Sequence, residues 1–169
     1  FETGKLRRDL AYQAADELMM HDDAVLALAF SRDGEHCACG DKSGHLKVWH
    51  VASGKCARRF ERAHGTPVSC VAFAKDGSQL VSGACDGAVR AHGMRSGKQL
   101  KEFRGHEGVV SAVAYVRDAG DVFSASADGS VRVWDARTAE CVRVLRPAHA
   151  AAAVALAGTS AALQADRAA

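Results

Sequence analysis

The chain has 169 residues, 48% hydrophobic and 25% charged, and its 22 basic and 20 acidic residues leave a net charge of only +2. That length suits one ordinary domain, and so even a charge balance gives no bulk-charge argument for nucleic acid. The sequence contains no uninterrupted apolar run of the ~18 residues that a membrane-crossing helix needs. It opens at Phe1 without a basic and then apolar leader, so no secretory signal is expected, and the missing initiator Met implies a longer parent protein. Six cysteines (Cys37, Cys39, Cys56, Cys70, Cys85 and Cys141) form no C-x-x-C pair. They read as small apolar fillers in a reducing compartment, with no metal site and no cofactor expected.

Taken in chain order, residues 1–20 come first, and Phe1-Glu2-Thr3-Gly4-Lys5 matches Val51-Ala52-Ser53-Gly54-Lys55. This stretch is therefore the end of a preceding unit plus a connecting loop. Three similar units follow, over residues 21–63, 64–105 and 106–147. His21, His64 and His106 are separated by 43 and 42 residues, and the same steps separate Gly44, Gly87 and Gly129, and Trp49, His92 and Trp134. Each unit divides into four short β patterns. In the second, Val68 to Phe73 is an apolar β-rich run, Lys75-Asp76-Gly77 a turn, and Gln79 to Ser82 a strand. Cys85-Asp86-Gly87-Ala88 then makes a hairpin, Val89 to His92 alternates as a half-buried strand, and Lys98 to Phe103 is the outer strand. The hairpin turns fall at Ser43-Gly44, Asp86-Gly87 and Asp128-Gly129. Residues 148–169 contain 12 alanines in 22 positions. Their reading stays open between the start of a further unit, since His149 lies 43 residues after His106, and a disordered low-complexity tail.

A period of about 42 residues with Gly105-His106 near the start and Trp134-Asp135 near the end resembles the WD40 family. The resemblance implies an all-β fold, a WD40 β-propeller fragment of about three four-stranded antiparallel blades. It also implies a structural tetrad of His106, Ser124, Asp128 and Trp134, in which an indole, a hydroxyl, an imidazole and a carboxylate satisfy one another. The same positions hold degraded sets elsewhere: His64, Ser82, Asp86 and His92 in the second repeat, and His21, Cys39, Ser43 and Trp49 in the first. The residue types also match a hydrolase triad through Ser124, but a catalytic set is not expected to recur in triplicate with drift. No catalytic residue is assigned.

A narrower resemblance rests on Gly4-Lys5-Leu6-Arg7-Arg8-Asp9-Leu10, Tyr12-Gln13-Ala14, Met19-Met20 and Asp22-Asp23-Ala24-Val25-Leu26. Phe30-Ser31-Arg32-Asp33, Arg58 to His64, Leu100 to His106 and the unusual His92-Gly93 extend it. Together these segments are similar to the Smu family (suppressor of mec and unc). Members of that family are nuclear, carry an N-terminal helical LisH/CTLH region and a seven-bladed propeller, and work with the Red protein in the spliceosome. The resemblance thus implies a protein–protein interaction scaffold in pre-mRNA splicing. Its expected partners are the Red protein and other spliceosomal components, with neither nucleic acid nor membrane bound directly.

Candidate contacts on one face are Lys42, Cys85, Ala127 and Glu107. The alternative function is a substrate receptor of a ubiquitin ligase or another WD40 adaptor. A receptor for phosphorylated segments needs an arginine-lined face, which these positions do not supply. Basic residues recur late in the repeats, at Arg58, Arg59, Arg62, Lys98, Lys101, Arg104, Arg132, Arg137, Arg143 and Arg146. They are expected on or near the outer strands as a solvated edge.

Overall fold

Short runs of apolar and β-branched residues, each cut off by a polar turn, become strands. The computed structural model describes residues 21–116 and 120–146, so the readings placed on 1–20 and 148–169 lie outside the described residues. The first sheet holds β1 (Val25–Phe30), β2 (His36–Asp41), β3 (Leu46–His50) and β4 (Cys56–Phe60). The second holds β5 (Val68–Phe73), β6 (Gln79–Ala84), β7 (Val89–Gly93) and β8 (Gln99–Phe103). The third holds β9 (Val110–Tyr115), β10 (Asp121–Ser126), β11 (Val131–Asp135) and β12 (Cys141–Leu145). Each sheet is a four-stranded meander in chain order, antiparallel throughout, and no helix occurs among the described residues. This is the all-β, three-bladed architecture expected from the repeats.

Strand bounds differ from expectation by a residue or two in the second sheet. β6 runs on to Ala84 because Ala84 N–H reaches the Ala88 carbonyl across the hairpin at 3.2 Å. The outer strand starts at Gln99, since the Lys98 carbonyl closes the preceding turn on Gly93 N–H at 2.9 Å. The third turn of each repeat needs a left-handed residue. Gly54 (φ 68°) and Gly97 (φ 65°) supply it without cost, but Ala139 takes φ 66° with a Cβ in place.

The cores lie between the sheets. One cluster joins Leu46, Val48 and Phe60 of the first sheet to Val68, Val71 and Leu80 of the second, and another joins Val81, Val89 and Phe103 to Val110, Val122 and Trp134. Close approach is achieved with glycine. A Cβ added at Gly40 would stand 2.5 Å from Val68 Cγ1, and one at Gly83 would stand 2.5 Å from Val110 Cγ1. The outer strands lock the same joints: the Phe60 ring meets His92 at 5.0 Å and the Phe103 ring meets Trp134 at 5.8 Å. Positions with no following or preceding described sheet stay open. Val25 is 48% exposed where its repeat mates Val68 and Val110 are fully buried, and Leu145 is 45% exposed where Phe103 is fully buried.

Because Ala139 holds a left-handed backbone that its two repeat mates give to glycine, Ala139→Gly is expected to stabilise the third sheet by about 1 kcal/mol. Denaturant titration of the variant checks this, and an unchanged or lowered midpoint contradicts it.

Candidate functional site

The turn between β10 and β11 and the start of the third repeat converge on one buried imidazole. His106 Nδ1 lies 2.9 Å from Asp128 Oδ2, and His106 Nε2 lies 2.7 Å from Ser124 Oγ. Trp134 Nε1 donates to the same Ser124 Oγ at 2.7 Å. The structure thus brings His106, Ser124, Asp128 and Trp134 into one continuous chain spanning β10, β11 and the segment before β9. Antiparallel pairing makes this local: Ser124 sits opposite Arg132 and Val122 opposite Trp134, so Ser124 and Trp134 point to the same face from neighbouring strands. Sequence reasoning missed Ser130, whose hydroxyl donates to Asp128 Oδ1 at 2.6 Å and lies 3.3 Å from His106 Nδ1. Burial works to raise the Asp128 carboxyl, but bonds from Ser130, His106 and the Ser130 and Glu107 backbone amides outweigh it and hold the group well below the usual range. Burial lowers His106, and Asp128 opposes that only in part.

The connectivity Ser–Nε2-His-Nδ1–Asp is that of a hydrolase triad. A nucleophile must also be reached by substrate and face donors for the oxyanion. Ser124 is fully buried, and its oxygen is occupied by the Trp134 indole. The surface depressions lined by Asp22, His45, Lys47 and Arg59, and by Arg32, Asp33, Lys75 and Asp76, do not touch it. What this arrangement does chemically is satisfy the buried Trp134, Ser124 and His106 and the half-buried Asp128, and tie a turn to two strands.

In the second repeat, His64 Nε2 lies 2.7 Å from Ser82 Oγ, which lies 3.0 Å from His92 Nε2. Asp86 does not join them: its Oδ1 caps Ala88 N–H at 3.0 Å, and Nδ1 of both His64 and His92 has no hydrogen-bond partner among the described residues. Burial first, then the nearby Arg90 guanidinium, pushes His64 down to about 4. Burial, His64 and Arg90 push His92 down to about 3. Arg90, unremarked in the sequence, is held by Glu102 at 2.8 Å and by the Ala63 carbonyl at 2.7 Å.

The first repeat departs from the expected set. Ser43 does not stand in for the acid at His21; its hydroxyl donates to Asp23 Oδ2 at 2.7 Å instead. The carboxylate comes from Asp41, two residues earlier at the end of β2, whose Oδ2 lies 2.9 Å from His21 Nδ1. Asp41 is fully buried and also accepts the His45 amide at 2.9 Å. A buried strand end points its side chain inward, whereas the turn position of Ser43 faces solvent. Cys39 takes the serine place, with a hydrogen bond from Trp49, and its thiol is pushed up to about 12, mainly by burial. His21 Nε2 is left without a partner among the described residues. The only advance signal was the acid in Gly40-Asp41-Lys42.

The face residues Lys42, Cys85, Ala127 and Glu107 are all exposed. The first three share one anchor, their backbone amides reaching the Ala24, Pro67 and Val109 carbonyls at 2.9, 3.0 and 2.8 Å. Among the basic residues, Arg58, Arg59, Lys101 and Arg143 do lie on outer strands. Arg132 does not: it is on β11, with its guanidinium carbon 5.8 Å from the centre of the Trp134 ring. The Asp33, Glu35 and His36 ligand atoms all lie within 4.8 Å of one another, but both acids are exposed and Asp33 Oδ1 already accepts the Glu35 amide at 2.9 Å.

Trp134→Phe keeps an aromatic ring but removes the indole donor to the buried Ser124 Oγ, so it is expected to cost about 1–3 kcal/mol in denaturant unfolding; a loss near zero contradicts the coupling. His64 and His92 predict a pH effect. Their folded values, about 4 and about 3, lie below the ordinary 6.5, so the unfolded chain takes up protons first. Their contribution is intact above about pH 6.5 and is lost as the pH falls toward 4 and then 3. His92→Trp, which restores the residue of the other repeats, is expected to flatten the decline in unfolding midpoint between pH 6.5 and 4. Equal slopes for the two proteins contradict this.

The sequence matches the family described as WD domain, G-beta repeat over residues 15–50, 54–91 and 97–135. A curated relative, WD40 repeat-containing protein smu1 of Dictyostelium discoideum, is 45% identical over 64 residues, covering 38% of this chain and 12% of the relative. Pre-rRNA-processing protein pro-1 of Caenorhabditis briggsae is 35% identical over 65 residues, covering 34% of this chain and 12% of the relative. The match therefore spans about an eighth of each curated relative's length. Among solved structures, the crystal structure of RRP9 WD40 repeats superposes with a TM-score of 0.72 at 28% identity, covering 78% of this chain and 41% of that one. Three matched repeats, three four-stranded sheets and the propeller superposition together place this chain in the WD40-repeat family of β-propeller proteins, whose members are in general protein-interaction scaffolds.

Proposed function

We propose that this chain is part of the interaction propeller of a nuclear pre-mRNA splicing factor, a scaffold that docks the Red protein and other spliceosomal components and performs no catalysis. The observation that carries the reading is the 45% identity to smu1, which agrees with the Smu-like segments at loops and strand edges. The buried Ser124 supports a scaffold over a hydrolase, with the His106–Ser124–Asp128–Trp134 chain acting as a structural tie. The exposed turns carrying Lys42, Cys85 and Ala127, with Glu107 beside them, are the proposed contact face. A second reading is a factor for pre-rRNA processing, favoured by the likeness to pro-1.

Docking through shape-complementary protein contact should survive nuclease and moderate salt, whereas each phosphate neutralised in an RNA complex releases counterion and steepens the salt dependence. The full-length parent protein is expected to co-purify from nuclear extract with the Red protein and spliceosomal proteins after nuclease treatment. Recovery of pre-ribosomal proteins in their place supports the second reading. Loss of all partners on nuclease digestion, or tight RNA binding with a steep salt slope, overturns the scaffold.

A further inference from the structure

Cys37 and Cys39 form a pair that the other repeats lack: the mates of Cys37 are Leu80 and Val122, and those of Cys39 are Ser82 and Ser124. Two residues apart on β2, the cysteines turn to one face, where they pack with Trp49 and the half-buried Cys56. Both are buried, and their sulfurs lie 3.9 Å apart. Two bonds of about 2.3 Å, the usual zinc–thiolate length, span that distance when they open by about 115°, between the tetrahedral and trigonal angles. An imidazole with a free nitrogen stands beside the pair. The His21 side chain is 3% exposed, and its Nε2 has no hydrogen-bond partner among the described residues. In the other repeats the same nitrogen is directed at the position of Cys39, with His64 Nε2 2.7 Å from Ser82 Oγ and His106 Nε2 2.7 Å from Ser124 Oγ. His21 keeps that attitude: its ring centre is 6.3 Å from that of Trp49 at 68°, against 5.9 Å and 71° for His106 and Trp134. Asp41 accepts from His21 Nδ1 at 2.9 Å, which leaves the lone pair on Nε2. A carboxylate behind the imidazole is the usual support of a metal-bound histidine.

We propose that Cys37, Cys39 and His21 form a site for a thiophilic divalent cation of the zinc class, which does in the first repeat what the serine hydroxyl does for the histidine in the others. Two thiolates cancel a divalent charge, so the buried cluster gains no net charge on binding. The imidazole supplies a third, neutral ligand of a type that suits the same ion. The three ligand atoms are not drawn together in advance. Among the described residues, the triad whose ligand atoms already lie within 4.8 Å of one another is Asp33, Glu35 and His36, and both of its acids are exposed. Rotation of the two cysteine side chains about Cα–Cβ closes the His21 set and leaves the strand in place. Cys56, half-buried at the edge of the cluster, gives the ion a way in. Burial raises both thiols, Cys39 to about 12, so the ion must displace protons that neutral solvent leaves in place.

Zinc and cadmium titrations of the 169-residue chain, kept reduced by a phosphine, test the site. A single ion per chain, a near-ultraviolet cadmium–thiolate band and release of about two protons are expected. At about a hundredfold excess over the dissociation constant, zinc is expected to raise the unfolding midpoint by roughly 5–10 °C. Cys39→Ser and Cys37→Val install the residues of the third repeat. Each is therefore expected to fold without metal at a midpoint near that of the parent chain, and to lose both the band and the shift. His21→Gln is expected to weaken binding by roughly tenfold or more. Replacing the exposed Cys85 and Cys141 together by serine is expected to change neither readout. Absence of binding by the parent chain, binding retained by Cys39→Ser, binding undiminished in His21→Gln, or binding lost with the two exposed thiols overturns the proposal.

Discussion

Everything in this molecule depends on one close approach, the seating of a valine on a glycine between neighbouring sheets. A single four-stranded meander has no interior, because its two faces both look outward. Val68 and Val110 become fully buried only because Gly40 and Gly83 carry no side chain to hold the next sheet away. With that spacing set, Phe60 reaches His92 and Phe103 reaches Trp134, and the apolar area removed from water is shared between two repeats. Full burial of each such side chain contributes about 1.5–3 kcal/mol, so a repeat is stable to the extent that it has a neighbour.

The polar chains through His106, His64 and His21 are secondary to those joints and specify them further. Each brings the segment before a first strand onto the second strand of its own sheet, which sets where the next seat falls. The three solve one accounting problem with different residues. Asp128 and Ser130 hold His106, Asp41 holds His21, and Nδ1 of the buried His64 has no partner among the described residues. The carboxylate has moved between the hairpin turn and the end of β2 without altering the strand order, so the fold requires a satisfied imidazole ring nitrogen more loosely than it requires the seat.

The third repeat also shows why residue type alone does not assign chemistry. Ser124, His106 and Asp128 reproduce the connectivity of a nucleophilic triad at hydrogen-bond distance. Depth separates the two outcomes. The Ser124 oxygen already accepts the indole proton and has no exposed surface, and the same bonds tie the segment before β9 to β10 and β11.

The repeat register was legible from histidine, glycine and tryptophan spacing, and with it the number of strands and the hairpin turns, because a two-residue alternation broken by Asp-Gly leaves few other solutions. His106, Ser124, Asp128 and Trp134 were legible through the resemblance to WD40 repeats, which implies the set, and the paired strands bring them together. Asp41 and Arg132 were not. Their roles depend on which way a side chain turns at a strand end, and on a tryptophan ring that covers one of them. Local pattern therefore determined strands, turns and repeat, all of which are set by neighbours within a few residues. Only the tertiary structure decided which carboxylate meets which imidazole and that Ser124 is sealed, because these depend on distances between strands and sheets that no local spacing encodes.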